Sequence, residues 1–77
     1  MTEQEWRNEF AKRLQAMMYQ KKRYNKKQLA EASGLSSKTI GRYRRGERIP
    51  DGVAISKIAN ALECSPDELI PVGRITE

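Results

Sequence analysis

The chain has 77 residues, 38% of them hydrophobic, and a formal net charge of +5. This length favours a single domain over residues 1–77, which buries only about 60% of its unfolded surface. One cysteine excludes an intrachain disulfide, and the absence of histidine argues against a catalytic thiol. No apolar run approaches the roughly 20 residues of a membrane span, and the acidic first residues do not resemble a signal peptide. We therefore expect no membrane contact and a cytoplasmic location.

The basic charge is concentrated in the middle of the chain. Residues 20–48 contain ten Lys/Arg and two Glu, a local charge of +8, whereas the remainder has five basic and eight acidic residues, a charge of −3. Such a patch is typical of nucleic-acid binding, although a solvated face that aids solubility has the same composition. Histidine, metal-ligand clusters and glycine-rich phosphate loops are absent from the sequence. We predict no enzymatic activity, no catalytic residues, no metal site, no cofactor and no small-molecule substrate.

Apolar periodicity predicts an all-α fold, a compact bundle of five short helices. The first helix covers about residues 3–20, with Thr2 as its N-cap and Glu5 completing a capping box. Its apolar stripe, expected in the core, is formed by Trp6, Phe10, Leu14, Met17 and Met18. The two aromatic residues alternatively reach a partner subunit. The basic run 21–23 is either the end of this helix or a loop that contacts phosphates.

The second predicted helix covers residues 26–32. Asn25 is suited to the N-cap position and Gln28 completes a capping box. Gly34 ends the helix, because glycine accepts the left-handed conformation found at helix C-termini. The apolar residues of this helix and the following turn are Leu29, Ala30 and Leu35. Ala30 is small enough for two helices to meet closely at that position.

The third predicted helix covers residues 36–45, with Ser36 as its cap and Gly46 as its stop. Ile40 and Tyr43 lie three residues apart and form its inner face. Two short helices joined by a glycine-containing turn are the signature of a helix-turn-helix, which lies at the centre of the predicted bundle.

This stretch resembles the helix-turn-helix of the lambda-repressor/Cro (XRE-type) family of phage and bacterial regulators. The matching positions are Leu29, Ala30, Gly34, Leu35, Ser36, Thr39, Ile40, Arg42, Gly46 and Pro50, with weaker similarity over about residues 10–70. The resemblance implies a lambda-repressor-like DNA-binding domain that regulates transcription, as a phage-type repressor or a bacterial homologue. It further implies a homodimer on a two-fold operator in double-stranded DNA. The alternative is a protein-interaction module on the same fold, antitoxin-like or adaptor.

The resemblance also implies which residues read the DNA sequence. The third helix would enter the major groove, where each base pair presents a distinct pattern of donors and acceptors. Its expected base-reading residues are Ser37, Lys38 and Arg42. Gly41 shares this face, and it either lets the helix approach the DNA closely or is a tolerated imperfection that costs about 1 kcal/mol relative to alanine.

Phosphate contacts are expected at the ends of the motif helices. The resemblance places them at Lys26 and in the segment from Arg45 to Arg48, and Lys27 is an adjacent cation. The free N–H groups that follow Ser36 also suit an anion. Contacts of this kind position a protein on DNA without reading its sequence.

Two positions depart from the family pattern. Many members carry Gln in place of Lys26, and many carry Glu in place of Arg44. That Glu usually pairs with an arginine late in the first helix, and the best-matching position here is Met18. Both members of the ion pair are therefore replaced, which leaves no stranded carboxylate but makes the orientation of Arg44 uncertain from the sequence.

The fourth and fifth predicted helices follow a loop. Asp51 caps the fourth, about residues 52–63, whose expected buried face is Val53, Ile55, Ile58, Ala59 and Leu62. Cys64 is expected to be a small apolar filler. The fifth, about residues 66–70, begins with proline at its first position. Its neighbouring apolar residues Leu69, Ile70 and Val72 are candidates for the core or for a dimer contact, and residues 73–77 form a predicted tail.

Overall fold

The structure, a computed structural model, describes residues 1–73 and Ile75. Its α-helices are α1 (Glu3–Met17), α2 (Lys26–Ser33), α3 (Ser37–Arg44) and α4 (Gly52–Leu62). A π-helical turn, Met18–Lys22, extends α1, and a 3₁₀ turn, Pro66–Glu68, follows α4. No strand occurs in this part of the chain. The all-α prediction is confirmed, with four α-helices where five were expected.

The prediction of a fifth helix over residues 66–70 is wrong. A 3.0 Å hydrogen bond from the Leu69 N–H to the Pro66 carbonyl closes a single 3₁₀ turn. Pro71 prevents its extension, because proline offers no N–H and disfavours the helical conformation at the residue before it. The predicted tail can be followed only at residues 73 and 75, since the rest of it lies outside the described residues.

The last part of the predicted first helix is π-helical rather than α-helical. The carbonyl of Met18 accepts hydrogen bonds from the N–H of Arg23 and, at 3.0 Å, from that of Tyr24. Arg23 closes the turn in the left-handed conformation, with φ 54°. Met18 nevertheless keeps its predicted place in the core, with 3% of its surface exposed.

Two lysines of the π-helical turn are bound to the C-terminal part of the chain. Lys21 forms an ion pair with Glu68 at 3.7 Å, and Lys22 pairs with Glu63 at the end of α4. This hydrogen-bonded pairing raises the pKa of Lys22 and lowers the pKa of Glu63. The pairs connect the π-helical turn to the end of α4 and to the 3₁₀ turn, whereas the Arg23 side chain forms no ion pair with a described carboxylate and lies over the ring of Tyr19.

The core lies where the four α-helices meet. Its largest fully buried side chains are Phe10, Leu14, Leu29, Ile40, Ile58, Leu62 and Leu69. The ring of Phe10 is stacked on Trp6 at 5.7 Å between centroids and meets Tyr43 edge-on at 6.0 Å. Such aromatic pairs fix α3 against α1. Phe10 therefore has no surface left for a partner subunit, and Trp6 is packed against the same core.

Two valines are exposed, Val53, which was expected in the interior, and Val72, which was a candidate for the core or for a dimer contact. Val53 is 64% exposed, because it lies on the side of α4 that also carries the exposed Ser56 and Lys57. Val72 follows Pro71 and is 83% exposed. Cys64 is half-buried against the core as expected, and burial raises the pKa of its thiol. No helix among the described residues is long and apolar enough to span a membrane.

Candidate nucleic-acid interface

The N-terminus of α2 is built by a capping box. The Asn25 side chain accepts a hydrogen bond from the Gln28 N–H at 2.8 Å, and the Gln28 side chain accepts one from the Asn25 N–H at 2.9 Å. The cap satisfies the Gln28 N–H, whereas the N–H groups of Lys26 and Lys27 have no intrahelical acceptors because they begin the helix. Lys26 and Lys27 both occupy this end and are exposed, as expected for phosphate contacts.

The turn between α2 and α3 follows the predicted chemistry. Gly34 has φ 78° and donates a 3.0 Å hydrogen bond to the Ala30 carbonyl. No atom lies within 4 Å of the position of a Cβ at this glycine, so conformation rather than space requires it. Ala30 is buried as predicted, and Leu35 packs half-buried against the core. The turn therefore fixes the position of α3 relative to α2.

The N-terminus of α3 is capped by Ser36, whose hydroxyl both accepts and donates a hydrogen bond. Ser36 Oγ accepts a hydrogen bond from the Thr39 N–H at 3.1 Å and donates one to Thr39 Oγ1 at 2.8 Å. To donate to a phosphate, this hydroxyl would have to release Thr39 Oγ1, whereas the capping bond from the Thr39 N–H could remain. The backbone N–H groups at the start of α3 remain available for an anion.

Of the three residues predicted to read bases, Ser37 and Lys38 lie at the beginning of α3 and Arg42 lies in its last turn. Lys38 is exposed, whereas Ser37 and Arg42 are half-buried. Lys38 and Arg42 are four residues apart, so they lie on one side of the helix. Neither has a carboxylate within ion-pair distance among residues 1–73 and 75. Neither charge is paired directly, although Arg42 is near enough to Glu47 to contribute to the lowered pKa of that carboxylate.

The sequence suggested that Gly41 lies on the open face of α3, but the structure shows it buried. A Cβ at this position would lie 3.1 Å from the guanidinium of Arg45 and 3.4 Å from Cδ of Lys26. Both of these basic side chains therefore cover Gly41, and its burial has a structural reason apart from any contact with DNA. The same packing brings the start of α2 and the end of α3 together.

The segment after α3 carries the other predicted phosphate contacts. Arg45 forms a hydrogen-bonded ion pair with Glu47, 2.6 Å from Nε to the carboxylate, whereas Arg48 is exposed. This hydrogen bond raises the pKa of Arg45 and lowers the pKa of Glu47. Arg45 is consequently shared between its carboxylate partner and any phosphate nearby.

Polar residues of α1 anchor the C-terminal end of α3, which the sequence reading missed. The side chains of Gln4, Arg7 and Gln15 donate hydrogen bonds to the carbonyls of Gly46 (3.1 Å), Glu47 (3.3 Å) and Arg44 (3.0 Å), respectively. Carbonyls at the end of a helix lack intrahelical donors, so these side chains satisfy them. The helical spacing of positions 4, 7 and 15 on one side of α1 was the only sequence signal for this role.

Comparison with known proteins agrees with this geometry. The model of the helix-turn-helix family matches residues 11–69, which is most of the chain. The chain belongs to this family, in its XRE/Cro-type branch. The resemblance seen in the sequence is therefore confirmed. This helix-turn-helix protein is a DNA-binding transcriptional regulator, and its partner is double-stranded DNA.

Two relatives support the assignment. The uncharacterised HTH-type transcriptional regulator YazB of Bacillus subtilis strain 168 is 38% identical over 50 residues, which are 65% of this chain and 72% of YazB. The crystal structure of the restriction-modification controller protein C.AhdI from Aeromonas hydrophila superposes with a TM-score of 0.77 at 34% identity. That match covers 83% of this chain and 96% of C.AhdI, so nearly the whole of C.AhdI superposes.

Proposed function

We propose that this helix-turn-helix protein reads a specific DNA sequence by inserting α3 into the major groove, N-terminal end first. Lys38 and Arg42 carry the proposal, because they lie one turn apart on α3 and neither forms an ion pair with a described carboxylate. Lys and Arg side chains commonly donate to O6 and N7 of guanine. We therefore expect at least one G·C pair in each half-site, with Ser37 as an adaptable neighbour.

The proposed phosphate contacts surround this helix. Lys26 and Lys27 act from the start of α2, and Ser36 acts through the N–H groups of the turn that it caps. Arg45 and Arg48 act from the segment after α3, and Arg45 must first release or share Glu47. These contacts supply affinity that depends on salt but carries no sequence information.

We propose further that one domain, residues 1–77, binds as each half of a homodimer on a two-fold operator, as a phage-type repressor or a bacterial homologue. One α3 covers few base pairs, and two copies related by a two-fold axis would read half-sites about 34 Å apart. Action on DNA assigns the protein to the cytoplasm. A protein-interaction role is disfavoured, because Lys38 and Arg42 give α3 a charged rather than an apolar outer side.

Selection of bound duplexes from a random pool, at several stated salt concentrations, tests the proposal. We expect a short preferred half-site that contains G·C, repeated with two-fold symmetry about one helical turn away. Binding that shows no preference among duplexes at any salt concentration would contradict base reading by α3. A single unrepeated half-site would retain α3 as the reader but remove the homodimer.

A further inference from the structure

Two adjoining depressions lie beside the proposed DNA-reading surface. The larger has a volume of about 320 Å³ and is lined by Gln15, Met18, Tyr19, Arg23, Tyr24 and Arg44. The smaller has a volume of about 240 Å³ and is lined by Gln15, Lys26, Gly41, Arg44 and Arg45. Gln15 and Arg44 line both depressions, which are together called the Arg44 cleft here. It runs between the π-helical turn and the C-terminal end of α3.

The lining of the Arg44 cleft is strongly cationic. Four basic side chains contribute to it, and no carboxylate lines either depression. Arg45 alone of the four has an ion-pair partner among the described residues, which is Glu47 outside the cleft lining.

One N–H group of the Arg44 guanidinium is buried and has no hydrogen-bond acceptor in the described part of the chain. Its Nε atom is inaccessible to solvent and makes no hydrogen bond with any described residue. The Nε atoms of Arg7 and Arg13 are in the same state, so the charge of Arg44, unpaired among the described residues, rather than its Nε, favours an anion in the cleft. The main chain around it is firmly held, because Gln15 donates a 3.0 Å hydrogen bond to the Arg44 carbonyl.

The π-helical turn supplies the second guanidinium of the cleft. Arg23 has φ 54° at the end of that turn, and its guanidinium carbon lies 5.4 Å from the centroid of the Tyr19 ring. Stacking on an aromatic ring restricts a guanidinium while leaving its N–H groups free to donate. π-helical turns are often found at functional sites, and this one shapes one wall of the cleft.

We propose that the Arg44 cleft binds a phosphate group, with Arg44 and Arg23 as the main donors and Lys26 at its edge. Guanidinium groups match the geometry of phosphate oxygens and bind them through paired hydrogen bonds. Two sources present this chemistry. One is the DNA backbone, which extends the phosphate contacts from α2 toward α1 and rests on the proposed function. The other is a free phosphorylated small molecule, which does not depend on DNA binding.

Charge-removing variants at the two arginines test the cleft. Arg44→Gln removes the central charge, and Arg23→Asn removes the second charge with a residue that tolerates a left-handed backbone. Lys57→Gln is the matched control, because Lys57 is exposed on α4 away from the cleft. Thermal unfolding establishes that each variant is folded. If Arg44→Gln does not fold, Arg23→Asn carries the test alone.

The DNA arm measures the salt dependence of binding to one duplex. Loss of one phosphate contact reduces the slope of log affinity against log salt by about 0.9, which is about a 3.5-fold change in affinity over a fourfold change in salt. We expect this reduction for Arg44→Gln and Arg23→Asn but not for Lys57→Gln. The second arm titrates inorganic phosphate against sodium chloride at matched ionic strength and follows the arginine Nε–H resonances by NMR.

The outcomes separate the two sources. A reduced salt slope in the cleft variants supports the DNA backbone, and saturable phosphate shifts lost in those variants, with an unchanged slope, support a free ligand. Slopes equal to that of Lys57→Gln together with no saturable shift overturn the cleft while leaving the proposed function intact. If the unmodified protein binds no duplex, the proposed function fails, and the phosphate titration alone then supports or overturns the cleft.

Discussion

The two ends of α3 are built in opposite ways. At its N-terminal end, Lys38 is exposed and the hydrogen bonds of the cap are local to Ser36 and Thr39. At its C-terminal end and in the turn that follows, three side chains of α1 bind the backbone carbonyls of Arg44, Gly46 and Glu47, and Gly46 is buried beside Asn8. A helix anchored at one end presents the other in a defined position. The difference teaches that binding and stability should separate along α3, and the following substitutions probe that separation.

The largest expected effect is on the anchored end. Gly46→Ala should lower the free energy of unfolding by roughly 2–4 kcal/mol, because φ is 70° and a Cβ would lie 2.6 Å from Asn8 Oδ1. Urea unfolding followed by circular dichroism measures the change. Gly52→Ala is the matched control, since no atom lies within 4 Å of its Cβ position and it begins α4. An equal loss in both variants would show that the close approach of Gly46 to Asn8 does not require glycine at position 46.

The base-reading residues of α3 should respond in binding rather than in stability. Arg42→Ala should weaken binding to the preferred duplex by about 1–3 kcal/mol and relax the preference at one base position, with an unchanged unfolding midpoint. Competition binding with duplexes changed at single positions measures both effects. A loss of equal size on every duplex would reassign Arg42 to the phosphate contacts.

A single anchoring hydrogen bond should have an intermediate effect on stability. Gln15→Ala leaves the Arg44 carbonyl without its 3.0 Å donor and should cost about 0.5–1.5 kcal/mol in chemical unfolding. Lys12→Ala, at another exposed position of α1, should change stability by no more than about 0.5 kcal/mol. If the two variants are equally stable, the contact from α1 does not hold α3.

The start of α2 should affect binding in a way that does not depend on sequence. Lys26→Ala should weaken specific and non-specific duplexes alike and reduce the salt slope by about 1, because it removes one phosphate contact. Filter binding at several salt concentrations measures this slope. Lys57→Ala should leave it unchanged. A normal slope for Lys26→Ala would remove this lysine from the backbone contacts.

The smallest expected effect concerns the π-helical turn, far from the free end of α3. Lys22 lowers the pKa of Glu63 below its ordinary value of 4.5, so this carboxylate stabilises the fold when ionised. The contribution is complete above about pH 5.5 and is lost as the pH falls through the lowered pKa. Unfolding midpoints measured across this range should fall more for the unmodified protein than for Glu63→Gln. Parallel pH profiles would show that the pair contributes nothing.

Local signals in the sequence predicted much of the helical framework. The capping boxes at Thr2 and Asn25 and the caps at Ser36 and Asp51 all form, and the glycines at 34 and 46 adopt positive φ. The prediction of a fifth helix is wrong, because in the sequence one capped turn before Pro71 resembles the start of a longer helix. The prediction that Val53 is buried is wrong, because the first turn of α4 has apolar residues on both of its sides. The base and phosphate contacts stay predictions until DNA binding is measured.

The sequence by itself determined where the four α-helices begin and where α2 and α3 end, because caps and glycines act within a few residues. Only the tertiary structure decided the π-helical turn, the covering of Gly41 and the anchoring of α3 by α1. Each of these depends on side chains distant in the sequence, such as Lys22 with Glu63 and Gln15 with the Arg44 carbonyl. A polar residue on an amphipathic helix gives no local sign of the partner it will meet, because the packing of the helices selects that partner.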